Sequence, residues 1–208
     1  MNNKIEIKNK NMFKNKWQMI IYMLLFVVII YLFIFIGTRD YGSKLSDNEL
    51  ISEKFSMLDK DNVFEYANAS EARMIASGTK GIVLFGTTNE WVDYYASIVN
   101  DTGKRMGINK IYYYDFFDNR DNNNATYEDI LNKLSNYVTH NDLENKEIYA
   151  PTLLVVSGGK VIYFDSETAF VKGNINPQNY WTYDKKQEKI NELIEVFSRY
   201  LESWGSYG

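Results

Sequence analysis

Apolar and polar residues divide the chain into four stretches. Residues 1–16 are polar and rich in lysine. Trp17 to Ile36 then runs for 20 residues with Gln18 as its only strongly polar member. A helix of that length rises about 30 Å, the thickness of a bilayer hydrocarbon core. No polar face interrupts the run, which argues against a buried core helix. A cleaved signal peptide has a shorter apolar region and ends in a small-residue site. Here Gly-Thr-Arg-Asp-Tyr-Gly follows Ile36, so residues 17–38 read as an uncleaved transmembrane anchor. Residues 39–62 read as a stalk. Within it Ser46 and Glu49 form a helix-start signal, and Leu50, Ile51, Phe55 and Leu58 make one apolar stripe.

From Val63 the pattern alternates between strand and helix. Strands are expected at Val63–Ala67, Gly81–Phe85 and Lys110–Phe116. Helices are expected at Ser70–Ser77, Asn89–Met106 and Tyr127–Val138. Thr152–Ser157 and Lys160–Asp165 read as two strands joined by Gly158-Gly159, a two-residue hairpin signal. After a long loop, Ser166–Tyr183, the spacing of Ile190, Leu193, Ile194, Phe197 and Leu201 predicts a helix over Asp184–Ser203. The order β-α-β-α-β-α-β-β-α defines an α/β sandwich with a mixed sheet over residues 63–208.

Charge orients the anchor. Residues 1–16 carry five lysines against Glu6, a net +4, and the remainder of the chain sums to −8. Lysine before the run and little basic charge after it place the N-terminus in the cytoplasm and the C-terminal domain outside. An acidic domain offers no basic footprint for nucleic acid. The chain has no cysteine and one histidine, His140. Thiol catalysis, disulfides and Cys/His metal sites are therefore excluded, and no cofactor is expected. Aromatic residues make up 16% of the chain, including 17 Tyr, so many rings must be partly exposed or stacked. The sequons at Asn68, Asn100 and Asn124 arise readily by chance in an Asn-rich chain.

Two local patterns resemble the thioredoxin superfamily. Ile148-Tyr-Ala-Pro151-Thr-Leu-Leu-Val-Val-Ser-Gly-Gly-Lys160-Val-Ile-Tyr-Phe looks like the family's cis-proline strand and the hairpin after it. A proline has no N–H for the ladder, so it fits just before a central strand. The cis bond is implied by the resemblance, not by the residues. The second pattern, Gly86-Thr-Thr-Asn-Glu90-Trp-Val-Asp93, aligns with the family's Gly-x-x-x-Cys-x-x-Cys. It is most like the bacteriocin-transport-accessory type. Glu90 and Asp93 then occupy the cysteine positions, with Trp91 and Val92 between them. Leu84 stands where many members keep a buried acid. The resemblance thus implies the fold without dithiol–disulfide exchange.

Glu90 and Asp93 read first as acids suited to a helix N-terminus. A sharper reading joins them to Asp165 and Glu167 as an oxygen-ligand cation site, although the spacing matches no calcium loop. Paired-carboxylate hydrolysis has no identifiable substrate. Aromatic residues offer more. Trp91 lies at the helix start, Tyr149 beside the loop Ala150-Pro151-Thr152, and Tyr180 and Trp181 in the late loop. In related folds the cis-proline loop and helix start border a groove where extended peptide docks, and these four rings are its candidate lining. Trp91 and Trp181 are the rings best suited to exposed roles; Tyr94, Tyr95 and Ile98 suit core packing. No catalytic residue is expected. The sequence therefore reads as a membrane-anchored, redox-inactive binding or accessory protein, its partners the bilayer and a peptide or membrane protein. Alternatives are a structural subunit of a membrane assembly, or a thiol-pathway component relying on a partner's cysteines.

Overall fold

The computed structural model describes residue 17 and residues 20–30, 45–117, 125–140, 146–171 and 175–202. The chain divides into two units, Met1–Lys44 and Leu45–Gly208. In the first, residues 20–30 are helical, and side chains such as Tyr22, Leu24 and Phe26 are exposed. Among the described residues no helix is long and apolar enough to cross a membrane. Of the expected anchor, residues 18, 19 and 31–38 lie outside the described set, as do residues 39–44 and Asn124.

The second unit is a mixed α/β fold with a five-stranded sheet. Its elements are α1 (Asp47–Lys54), β1 (Phe64–Tyr66), α2 (Ala69–Ala76), β2 (Gly81–Gly86), α3 (Glu90–Met106), β3 (Ile111–Asp115), α4 (Ala125–Lys133), β4 (Thr139–His140), β5 (Lys146–Glu147), β6 (Thr152–Ser157), β7 (Lys160–Asp165), α5 (Pro177–Tyr180) and α6 (Tyr183–Glu202). The sheet order is β1-β3-β2-β6-β7, and β4 and β5 form a separate ribbon. Strands β1 and β2 run parallel to β3, whereas β6 is antiparallel to both β2 and β7. The central strands β2 and β6 are buried at every position, and their apolar runs Ile82–Phe85 and Leu153–Val156 suit strands covered on both faces. Alternation along β2 sends Ile82 and Leu84 to one core with Val92, Tyr95, Leu193 and Phe197 of α3 and α6. Val83 and Phe85 go to the other, with Ala72 and Ile75 of α2 and Tyr127 and Ile130 of α4. Gly158 and Gly159 both take positive φ, 59° and 76°, as a two-residue hairpin turn demands.

Two stretches differ from their sequence reading. Residues 47–58, expected in a stalk, belong to the folded unit. Ile51, Phe55 and Leu58 are buried in the first core, each stabilising it by about 1.5–3 kcal/mol. The Asp47 carboxylate accepts the Tyr66 N–H at 2.9 Å, and the side chains of Asn48 and Asn62 each donate to the other's backbone carbonyl. The short helix thereby closes the β1 edge of the sheet. The second stretch is Ser166–Tyr183. Rather than a plain loop, it holds a 3₁₀ turn, Glu167–Phe170, and α5, whose start is capped by Asn176 accepting from Asn179 N at 2.9 Å. Asn followed by Pro177 at the first helical position is an ordinary helix start.

Candidate functional site

The turn between β2 and α3 is built around a close approach. A Cβ at Gly86 would meet Tyr113 Cε2 at 2.8 Å and Val92 Cγ1 at 3.0 Å, so only glycine fits without movement. Asn89 opens α3 by accepting the Val92 N–H at 2.9 Å. The four residues from Glu90 to Asp93 then separate in role. Glu90 is exposed, Trp91 half-buried and Val92 fully buried. Asp93 accepts from Ser56 N, Ser56 Oγ and Met57 N at 3.0, 2.8 and 3.0 Å. It pins the segment after α1 to the first turn of α3. Asp93 is thus a structural hydrogen-bond acceptor.

The Ala150–Pro151 bond is cis. Pro151 and Thr152 are buried, and Thr152 Oγ1 donates to the Tyr149 carbonyl at 2.6 Å. Register explains why this loop and the α3 turn are neighbours. Phe85 of β2 pairs with Thr152 of β6, so both segments leave the sheet at the same end on adjacent strands. The rings line up beyond them. Trp91 meets Tyr180 edge-on with centroids 5.3 Å apart, Tyr180 meets Trp181 at 5.1 Å, and Tyr149 meets Phe170 at 4.9 Å. Trp91, Tyr149 and Tyr180 are half-buried. Trp181 is not the exposed ring expected of it: it is 4% exposed and stacks on Tyr95 at 6.1 Å. Its position between α5 and α6 turns the indole into the core, leaving Nε1 buried without a partner among the described residues.

Beneath these rings lies a buried ion pair. Lys189 Nζ of α6 donates to Asp165 Oδ2 at 3.0 Å and Glu192 Oε2 at 2.6 Å, and lies 3.5 Å from Glu167 Oε2. Asp165 also accepts from Tyr95 Oη at 2.5 Å and from the Glu167 N–H at 3.0 Å. Both members of the pair are under a tenth exposed. Burial raises the Asp165 pKa, but Lys189 and the bonds from Tyr95 and Glu167 outweigh it and hold the carboxyl below its ordinary value. Burial opposes the charge on Lys189 as well; Asp165 and Glu192 overcome it and hold the ammonium above its usual range. Tyr95 is pushed well above the phenol value by burial and by Asp165. Tyr180, whose hydroxyl donates to Glu167 at 3.2 Å, is pushed up to about 12 by burial and that carboxylate.

Asp165 occupies a telling place in the sheet. Leu84 pairs with Leu153, and Leu153 pairs with Asp165. Residues paired across strands share a face. The carboxylate therefore lies in the same row and on the same face as Leu84, two strands away. Neither Asp165 nor Lys189 stood out as a pair in the sequence. The available signal was Lys189 falling on the helical stripe of Leu193, Val196 and Phe197, a cation on an apolar face.

The proposed joining of Glu90 and Asp93 with Asp165 and Glu167 is not what these carboxylates do. Asp93 serves Ser56 and Met57, while Asp165 and Glu167 serve Lys189. Among the described residues no group of three or more His, Asp or Glu side chains has the arrangement of a metal site. Chemically the arrangement offers a ring-lined surface over a neutralised interior. Comparison with protein-family models, with curated proteins and with solved structures finds no match to this chain.

Proposed function

We propose that this protein is a redox-inactive binding or accessory module on a thioredoxin-like scaffold, tethered to a membrane by residues 17–38, with its folded unit on the extracytoplasmic face. The strand order β1-β3-β2-β6-β7 and the cis bond before β6 support the scaffold. The apolar run Trp17–Ile36 between a +4 segment and Arg39-Asp40 supports the anchor and its orientation. One observation carries the functional reading: the α3 turn and the Ala150–Pro151 loop emerge side by side, and half-buried rings continue outward from both. Half-buried tyrosine and tryptophan supply contact area of the kind enriched at protein-recognition surfaces. The chain has no cysteine, so it brings no thiol to any exchange reaction.

The test is Trp91→Ala in the full chain, followed by crosslinking and capture from native membranes. Its folding should change by less than about 1 kcal/mol, because the ring is half-buried and sits on the surface side of α3. Partner capture should fall at least about tenfold. Capture that is undiminished removes Trp91 from the groove and favours a structural subunit docked by another face. Protease shaving of intact cells checks topology: residues 45–208 should be cut from outside and residues 1–16 protected.

A further inference from the structure

The ring-lined strip is continuous with an excess of negative charge. Trp91 touches Tyr180, Tyr180 bonds Glu167, and Glu167 opens the 3₁₀ turn that ends in Phe170, which touches Tyr149 beside the cis-proline. At its centre is a small cavity of about 40 Å³ bounded by Glu167, Glu188, Glu192, Tyr180 and Lys185 among others. That space suits a head group, whereas whole small-molecule ligands take roughly 300–1,000 Å³. Four carboxylates, those of Asp165, Glu167, Glu188 and Glu192, stand against two ammonium groups, Lys185 and Lys189, leaving two negative charges in excess. Lys189 is already committed to the interior. Lys185 Nζ lies 4.3 Å from the Tyr180 ring centroid, so that ring face already attracts a cation of the chain's own. The whole folded stretch, residues 45–208, carries a net −9.

We infer that the segment this strip accepts is extended, apolar and basic, with a lysine or arginine side chain seated at the mouth formed by Glu167, Glu188 and Glu192, where it takes the place of Lys185 against Tyr180. The inference rests on the groove proposed above and names its partner's chemistry. Apolar side chains of the segment lie on Trp91 at one end and on Tyr149 and Phe170 at the other. Charge complementarity sets both the choice of partner and the rate of encounter.

The experiment uses the full chain in nanodiscs of zwitterionic lipid, with empty nanodiscs subtracted. The probe is a capped, dye-labelled peptide of alternating lysine and valine, compared with one alternating glutamate and valine. The lysine peptide should bind at least about tenfold more tightly. Glu167→Gln together with Glu188→Gln should weaken it about fivefold or more, whereas Glu53→Gln with Glu128→Gln, exposed acids on α1 and α4, should change it less than about twofold. Equal losses from the two pairs would reduce the effect to overall charge and overturn the site. Equal binding of the two peptides, or binding of neither, would also overturn it. Should any of these occur while partner capture still depends on Trp91, the groove stands and only its basic preference falls; loss of Trp91 dependence overturns the groove itself.

Discussion

Two acids on the same side of the sheet meet opposite demands. Asp93, in the first turn of α3, remains near solvent and is satisfied by two backbone N–H groups and a hydroxyl. Asp165, at the end of β7, lies in the interior and requires a full counter-charge, Lys189, with a phenol and an N–H on its remaining lone pairs. A carboxylate near water can be held by dipoles alone. One taken out of water costs several kcal/mol unless an opposite charge accompanies it. The site that draws attention in the sequence is thus the less demanding of the two. The interior pair joins α3, α6 and β7 and fixes the floor on which Tyr180 and Trp181 stand.

That contrast is broken first at the ion pair. Lys189→Met alone should destabilise the protein by about 3–5 kcal/mol, because it strands Asp165 in the core. Adding Asp165→Leu should restore most of that loss, since two apolar groups leave no charge to solvate. Urea denaturation of the natural chain and the two variants measures it, and a single-variant loss below about 1 kcal/mol would mean the pair is better hydrated than its burial implies. The pair also sets the acid response. The folded Asp165 pKa lies below its unfolded value of about 3.9, so its stabilisation is complete above that pH and is lost as pH falls through the folded value. Lys189 has a folded pKa above about 10.4, so its share is complete below that value and is lost only as pH rises through the folded one. Stability should therefore run parallel for the natural chain and the double variant between about pH 7 and 5, and fall more steeply for the natural chain once the pH drops below about 3.9.

Smaller effects are expected at the turn. Asp93→Ala removes three acceptor contacts and should cost about 1–2 kcal/mol, with amide exchange at Ser56 and Met57 rising before that of β2 or β6. Uniform exchange across the domain would show that the segment after α1 opens only with the whole fold. Glu90→Gln should change stability by less than about 0.5 kcal/mol, since the side chain is exposed. A loss comparable to that at Asp93 would erase the distinction between Glu90 and Asp93.

Periodicity alone determined much of this protein. The apolar runs at Gly81–Gly86 and Thr152–Ser157, the Gly158-Gly159 turn and the 3.6-residue stripe of α6 place the central strands, the hairpin and the last helix within a residue or two. These features are local, because side-chain alternation and turn chemistry are properties of neighbouring residues. The absence of cysteine also excluded thiol chemistry without any coordinates. Tertiary structure alone decided three things: that Ile51, Phe55 and Leu58 are core and not stalk, that Trp181 faces inward, and that Asp165 and Lys189 meet. Each depends on which distant segment arrives opposite a residue. An amphipathic helix does not specify what it will cover, and a charge on an apolar stripe does not name its partner. Sheet register supplies that answer, bringing Asp165 into the row of Leu84 and the α3 turn beside Pro151.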